Sequence, residues 1–282
     1  MPTLAGSFDA VADAYERGRP RYSREVVSVI ARLAGGPRIL DVGAGTGRLS
    51  EPLMQTGADV VAVEPLDRMR AILAGKIGDD RALAGRAEAL PLPPASVDGA
   101  VVADAWHWFD GARAADELHR VVRAGGGVVV CVRLVDWERA GGAPAWAREV
   151  TEVLDALRAA ADHPSRGRSY RPDGLVGHPG FAPVERRDER FAFRTRREEM
   201  LDHLASISVI ASLSPERRAA VLAELTAILV RHDVRDVDVP QVAQLWVTRR
   251  LSSRAGAADD PAAAPALPPT GRRGARTPRR HA

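Results

Sequence analysis

The feature that most constrains the fold is a glycine-rich turn between two apolar segments. An apolar run over residues 39–42 stops at three glycines spaced G-x-G-x-G, a helical pattern follows, and a second apolar run over 60–63 ends at Glu64. The glycines are Gly43, Gly45 and Gly47. This order predicts a β-α-β unit, and open parallel sheets bind nucleotide-like ligands at the carboxyl ends of such strands. Glycine lets the backbone approach a ligand closely.

The spacing of the glycines restricts which nucleotide would bind. The dinucleotide fingerprint is G-x-G-x-x-G, whereas here the third glycine comes one residue early and Arg48 occupies the position of the missing one. Asp41 would repel a pyrophosphate but suits a cationic group such as an ammonium. Glu64 can accept hydrogen bonds from both hydroxyls of a ribose. A nicotinamide-dependent oxidoreductase is therefore an alternative that Arg48 and Asp41 disfavour.

The pattern Asp41-x-Gly43-x-Gly45-x-Gly47, followed by Glu64, resembles motif I of the class I S-adenosylmethionine (SAM)-dependent methyltransferases. The resemblance implies a Rossmann-like α/β fold. Its sheet would have seven mostly parallel strands, with helices on both faces and extra helices over the cleft. The resemblance also implies SAM as the cofactor. By this likeness the cofactor contacts around the turn are Asp41, Gly43, Ala44, Gly45, Gly47, Glu64, Pro65 and Met69.

A short segment after the next predicted strand, residues 85–91, resembles the part of these enzymes that lies beside the adenine. The likeness implies that Ala87 and Glu88 contact the base. A surface loop with an incidental glutamate is the alternative. The position of the segment after motif I favours the binding role.

A run of aromatic residues follows the apolar segment 97–103, at the carboxyl end of a predicted strand and over the same cleft. Aromatic faces stabilise a sulfonium cation and exclude water. The run resembles the trans-aconitate-methyltransferase-like branch of methyltransferase type 11 proteins, in which a His-Trp-Phe segment shapes the methyl-transfer pocket. The likeness implies a substrate pocket lined by Trp106, Trp108 and Phe109, cofactor contacts from Asp104 and Ala105, and His107 as the candidate catalytic base. Core packing of these rings is the alternative.

The opening of the chain, residues 8–22, resembles the N-terminal lid of the same branch. It implies that Tyr15 and Arg19 approach the methionine end of the cofactor. A helix that merely packs against the core explains the same pattern equally well.

Beyond residue 134 the regular alternation of strands and helices changes. We expect a single methyltransferase domain over residues 1–253, with a helical lid, a SAM-binding core and an acceptor-side half, over 1–34, 35–134 and 135–253. In the last part the predicted segments are a helix stripe over 146–157, a loop over 162–180, a strand over 185–195, helices over 196–205 and 215–231, and a final strand over 242–251. The helices within 196–231 would cover the acceptor. Residues 254–282 are rich in Ala, Pro and Arg and are expected to be disordered.

Other groups that could bind ligands carry weaker signals. Three arginines at 166, 168 and 171 surround Tyr170, but all 40 basic residues except Lys76 are arginines, so a solvated loop is favoured over an anion clamp. The single cysteine and the scattered histidines show no metal-ligand spacing, so no metal is expected. These residues are Cys131, His119, His163, His178, His203 and His232.

Charge and composition restrict the partners and the compartment. The net charge is +3, yet residues 254–282 hold six arginines and only two acids, so the remainder is almost neutral. A nucleic-acid methyltransferase or binding protein that uses this tail is an alternative that this distribution disfavours. One cysteine and no apolar run of membrane-spanning length predict a cytoplasmic protein without membrane contact. We expect a monomer or homodimer that methylates an oxygen (a carboxylate included) or a nitrogen of a small molecule.

Overall fold

A seven-stranded sheet organises residues 11–160 and 170–252, which are those that this computed structural model describes. In chain order the strands are β1 (Arg38–Val42), β2 (Asp59–Val63), β3 (Ala82–Leu83), β4 (Gly99–Ala103), β5 (Gly127–Val135), β6 (Glu185–Arg196) and β7 (Asp236–Arg249). Their order across the sheet is 3-2-1-4-5-7-6. The first five strands are parallel, and β7 runs antiparallel to both of its neighbours. The predicted Rossmann-like sheet is confirmed.

Helices pack around this sheet, and several begin at capping side chains. They are α1 (Ala12–Gly18), α2 (Arg24–Ala34), α3 (Ser50–Gln55), α4 (Asp67–Ile77), α5 (Gly111–Val121), α6 (Ala145–Ala160), α7 (Arg197–Ala205), α8 (Ser208–Ala211) and α9 (Pro215–Arg231). Ser23 and Asp110 accept hydrogen bonds from backbone N–H groups in the first turns of α2 and α5. Such caps satisfy donors that a helix leaves unpaired at its start. Among the described residues, no helix combines the length and apolarity needed to cross a membrane.

Two of the apolar cores in this unit lie against the parallel strands and among the helices between β6 and β7. The first lies between the parallel strands and α5, where Leu40, Val102, Leu118 and Val130 are fully buried. The second core joins α6, α7, α8 and α9 around the fully buried Leu225. The helices between β6 and β7 thus share a core with α6, separate from the core between the parallel strands and α5.

The last strand differs from its predicted bounds of 242–251, because it begins at Asp236 and ends at Arg249. The observed strand includes Pro240, although proline cannot donate to a strand ladder. It is tolerated because β5 pairs with β7 only as far as Gln241, so Pro240 lies just beyond that ladder. On that side its carbonyl accepts a hydrogen bond from the Asp136 N–H at 2.9 Å.

The described residues all lie within one unit that spans Met1–Ser252. The division into lid, SAM-binding core and acceptor-side half stays a prediction. The expected disorder of 254–282, residues 162–169 of the loop predicted over 162–180, and the start of the lid fall outside the described residues.

Candidate active site

The glycine turn at the end of β1 is held by the acid at the end of β2. Gly43 and Gly45 have φ angles of 68° and 58°, in the left-handed region that favours glycine. Glu64 Oε2 accepts a hydrogen bond from the Gly45 N–H at 2.8 Å, and its Oε1 accepts one from the Leu66 N–H at 3.0 Å. The carboxylate is therefore buried and fixed beside the turn.

A cavity of about 580 Å³ opens at this edge of the sheet. Its volume lies in the range of small-molecule and cofactor sites. The predicted site residues that line it are Tyr15, Arg19, Gly43, Gly45, Glu64, Pro65, Met69, Ala87, Glu88, Asp104, Ala105, His107, Trp108 and Phe109. Most of the predicted site is thus brought together around one cavity.

Three residues predicted to contact the cofactor, Asp41, Ala44 and Gly47, do not line this cavity, and their contact with the cofactor stays a prediction. Asp41 is buried beneath the turn, where the Ser50 hydroxyl donates to its Oδ2 at 2.6 Å. Burial raises the pKa of this carboxyl to about 7, an effect that the Ser50 hydrogen bond opposes and the nearby Glu64 charge increases. Ala44 packs beside Ala62, and a Cβ on Gly47 would lie 2.8 Å from the Leu73 side chain. Asp41 is thus buried near the end of β1, whereas Ala44 and Gly47 belong to the turn itself.

The aromatic run divides between two cavities. Trp106 is buried and does not line the large cavity, because its indole N–H donates to the Asp173 carbonyl at 3.1 Å. It lines instead a neighbouring cavity of about 280 Å³. His107 and Phe109 line both cavities, and Trp108 lines only the large one. The predicted substrate-pocket residues therefore lie on two sides of one aromatic wall.

The predicted lid residues cover the glycine turn. A Cβ placed on Gly45 would lie 3.8 Å from the Tyr15 ring, so the ring sits over the turn at contact distance. The Arg19 guanidinium lies 5.0 Å from the centre of the same ring, within the range of a cation–π contact. Arg48 in turn donates to the Arg19 carbonyl.

Glu88 is tied to the start of α5. Its Oε1 accepts from the Asp110 N–H at 2.9 Å, and Arg86 lies 3.6 Å from its other oxygen. Ala87 is buried in the same wall. The segment predicted to lie beside an adenine is thus ordered by contacts within the chain.

Asp104 is held in a strained conformation by Arg133, a residue that the sequence did not single out. Its φ is 53°, which is uncommon outside glycine. The carboxylate accepts from the Arg133 backbone N–H at 2.9 Å and from its guanidinium at 2.8 and 2.5 Å, and Tyr22 donates to it at 3.3 Å. Burial works against ionisation, but the Arg133 charge and hydrogen bonds hold the pKa of Asp104 below its ordinary value.

The cavity wall also contains residues that sequence reasoning missed. They are Val132, Arg133, Arg158, Tyr170, His203, Ile207 and Ser208, apart from backbone neighbours of the predicted set. Tyr170 lies in this wall, 6.0 Å from the His107 ring, and Arg171 beside it is exposed. Arg166 and Arg168 fall outside the described residues, so the solvated loop favoured there stays a prediction. In the sequence, only the expectation that the helices within 196–231 cover the cleft indicated that His203 could line the cavity. Nothing local marked Arg133 or Arg158.

Comparison with known proteins identifies the family. Residues 40–130 match the family described as a methyltransferase domain. An uncharacterized methyltransferase from Mycobacterium tuberculosis is 35% identical over 226 residues, which are 80% of this chain and 86% of the relative. The chain is a class I SAM-dependent methyltransferase.

Further relatives agree with the family. The solved structure of a protein assigned as a type II methyltransferase from Anaeromyxobacter dehalogenans is 28% identical, with a TM-score of 0.53, and the match covers 83% of this chain and 98% of that one. A malonyl-[acyl-carrier protein] O-methyltransferase from Pectobacterium atrosepticum is 33% identical over 148 residues, 51% of this chain and 58% of the relative. The nicotinamide-dependent alternative is thereby wrong.

The cavity of the methyltransferase fits SAM. Glu64 reaches it from the end of β2, where a ribose would bind, and the aromatic rings of Trp108 and Phe109 suit a sulfonium. Arg19 also lines it, and its Nε is buried with no hydrogen-bond partner among the described residues. An unpaired buried donor of this kind matches the carboxylate of the methionine part.

Proposed function

We propose that the methyltransferase transfers its methyl group to an oxygen or a nitrogen of a small molecule. The observation that carries this proposal is the enclosure of one cavity by two different walls. One wall comes from the carboxyl ends of β1 and β2 and from α1, and the other from the aromatic run and the helices between β6 and β7. A small acceptor would lie between them, with the neighbouring 280 Å³ cavity as additional space.

The residues of the first wall would bind and orient the cofactor. Glu64 would accept hydrogen bonds from the ribose hydroxyls, and Ala87 with Glu88 would flank the adenine. Tyr15 and Arg19 would close over the methionine part from α1 and the residue that follows it. These assignments rest on the placement of each side chain in the cavity wall.

The residues of the second wall would position the acceptor and exclude water. SAM, when bound, supplies an electrophilic methyl group, which forms a bond to the acceptor atom while its bond to sulfur breaks and leaves the electron pair on sulfur. A carboxylate or neutral amine attacks without a base, so position and desolvation can supply most of the rate. A hydroxyl needs a base, and His107 in the aromatic wall is the candidate.

Two observations favour oxygen, including a carboxylate, as the acceptor atom. The relative from Pectobacterium atrosepticum is named an O-methyltransferase. In addition, four arginines but only three carboxylates line the cavity, so its wall favours an anion. The arginines are Arg19, Arg86, Arg133 and Arg158, and the carboxylates are Glu64, Glu88 and Asp104.

The first experiment measures cofactor binding and the second measures methyl transfer. S-adenosylhomocysteine at about 100 times its dissociation constant should stabilise the protein by about 2.7 kcal/mol, whereas NADH should not. Gly45→Val should abolish this shift, because a branched residue at a positive φ is strained and would meet the Tyr15 ring. A matched control is Gly57→Ala on the turn after α3, where an added Cβ meets no atom within 4 Å.

The acceptor class is tested with methyl-labelled SAM and a small-molecule extract of cells, beside an RNA preparation. We expect label in small molecules only, in base-labile form if the product is a carboxylate ester. Label in RNA alone would contradict the proposal, as would the absence of transfer from both preparations.

A further inference from the structure

His203 lies in the wall of the large cavity. It belongs to α7, in the connection between β6 and β7. Those strands form one edge of the sheet, whereas β2, which carries Glu64, lies near the other. His203 therefore approaches the cavity from the side proposed for the acceptor, together with Ile207 and Ser208.

The imidazole of His203 has hydrogen-bonding capacity that the described residues do not use. Its Nδ1 is buried and has no hydrogen-bond partner among them. Burial lowers the pKa of the ring well below its ordinary value, and the nearby charges of Arg19 and Arg133 lower it further. A neutral ring can donate one hydrogen bond and accept another. Burying such a group without a partner costs free energy, which a bound molecule would recover.

We infer that His203 hydrogen-bonds the methyl acceptor, and that Gly18 and the Arg17–Asp202 ion pair position it. The inference rests on the proposed methyl transfer to a small molecule.

The positioning contacts come from the helix that also carries Tyr15. A Cβ on Gly18, the last residue of α1, would lie 2.0 Å from the His203 backbone nitrogen, so only glycine allows this approach. Beside it, the Arg17 guanidinium donates to the two Asp202 oxygens at 2.8 and 2.9 Å. Because α1 holds Tyr15 over the glycine turn, one helix sets both the cofactor wall and the position of His203.

The hydrogen bond is tested by comparing two variants of comparable bulk. His203→Phe has no polar side-chain atom, whereas His203→Gln keeps both a donor and an acceptor. Transfer of labelled methyl is measured at saturating SAM across serial dilutions of the small-molecule extract. We expect His203→Phe to raise the half-saturating extract concentration by about tenfold, equivalent to about 1.4 kcal/mol. His203→Gln should restore part of the difference. Affinity for S-adenosylhomocysteine should change less than twofold in both.

His232→Gln is the matched control, because His232 ends α9 against Glu149 and does not line the cavity. An unchanged half-saturating concentration in His203→Phe, with normal transfer by the wild type, would overturn the inference and leave the proposed function standing. Equal losses of S-adenosylhomocysteine affinity and melting temperature in both variants would give His203 a structural role. No transfer by the wild type would overturn both proposals.

The positioning contacts are tested by exchanging the charges of the ion pair. Arg17→Asp and Asp202→Arg should each raise the half-saturating extract concentration, and the double variant should restore it toward the wild-type value. The same three changes at the exposed pair Arg235–Asp233 serve as the control. Failure of the double variant to improve on both single variants, at equal melting temperature, would remove the pair from the positioning role.

Discussion

At the scale of single residues, Glu64 shows how the protein's own backbone prepares a ligand site. Its two oxygens accept the N–H groups of Gly45 and Leu66. A carboxylate oxygen can accept two hydrogen bonds, so the same group can hold the turn and a ribose. In Glu64→Gln an amide nitrogen would face a backbone N–H. We expect S-adenosylhomocysteine binding to weaken by about 1.5–3 kcal/mol, the range for a hydrogen bond to a charged group.

Calorimetry checks this change in affinity, with Glu185→Gln on the exposed start of β6 as the control. An affinity equal to that of the wild type would mean that Glu64 serves the turn and not the cofactor.

Asp41 should make the stability of the fold depend on pH. The pKa of its buried carboxyl is raised to about 7, so the folded protein holds this proton more tightly than the unfolded chain. The protonated Asp41 carboxyl contributes fully to the stability of the fold below about pH 4, the pKa of an aspartate in the unfolded chain. This contribution is lost as the pH rises towards 7. Asn cannot ionise, so Asp41→Asn should not lose stability in this way. Between pH 5 and pH 8 its free energy of unfolding should therefore rise, relative to that of the wild type, by on the order of a few kcal/mol.

Urea unfolding at the two pH values measures the difference between Asp41→Asn and the wild type. Asp59→Asn, an exposed aspartate on β2, is the control. If the free energies of unfolding of Asp41→Asn and the wild type differ by the same amount at both pH values, Asp41 does not titrate in this range.

The role of His107 depends on the acceptor. With a hydroxyl acceptor, His107→Ala should lower turnover by about 10²–10⁴-fold, the usual contribution of a general base, with little change in SAM affinity. With a carboxylate acceptor the change should appear mainly in the acceptor KM, without a histidine limb in the pH–rate profile. Steady-state kinetics separate the two cases. A lower melting temperature with unchanged kinetics would show that the ring, which lies 4.7 Å from that of Trp108, only packs.

At the scale of secondary-structure elements, Arg133 joins β4, β5 and the chain that enters α2. It binds the Asp104 carboxylate, donates to the Pro20 carbonyl and lies 4.3 Å from the Tyr22 ring centre. Removing one partner of a buried ion pair costs about 3–5 kcal/mol, because the other charge stays buried. We therefore expect Arg133→Met to lose that much stability in urea unfolding.

The double variant Asp104→Asn with Arg133→Met is the informative control, since it leaves no uncompensated charge and Asn tolerates the positive φ of residue 104. It should be more stable than Arg133→Met alone. If the double variant is less stable than Arg133→Met alone, Arg133 stabilises the protein mainly by packing against Tyr22.

Short sequence patterns correctly predicted the parallel strands and the glycine turn, because these elements depend on residues that are neighbours in the sequence. The run of Val60 to Val63 and the glycines before it predicted β2 and the turn, because strand period and glycine geometry depend on neighbouring residues. The contacts of Arg133 with Asp104 and Pro20 join residues 29 and 113 positions apart. These contacts could not be predicted because no short stretch of sequence contains both partners. The burial of Asp41 likewise depends on where α3 packs, which its neighbours in sequence do not specify.

At the scale of the whole molecule, the resemblance to a family predicted a sheet of seven mostly parallel strands and the helices over the cleft, which composition alone does not specify. That the seventh strand is the antiparallel one is seen only in the structure. The same scale includes the tail. Because residues 254–282 hold little apolar material beyond Ala, Pro and Leu267, a chain that ends at Ser253 should keep its melting temperature and its affinity for S-adenosylhomocysteine. Thermal unfolding and calorimetry check this, and a loss of several degrees would contradict it.

The insertion of β7 between β5 and β6 has a consequence for the nascent chain on the ribosome. Nine residues of β5, from Gly127 to Val135, pair with β7, yet about 100 residues must be translated after β5 before β7 begins. At about 5–20 residues per second, this interval lasts on the order of 5–20 s. During it a valine-rich strand has unpaired N–H and C=O groups along one edge, a ready template for pairing with another chain. We therefore expect the nascent chain to need a chaperone most while residues 136–235 are being translated. Fragments released by ribosomes that stall before codon 236 should aggregate most readily.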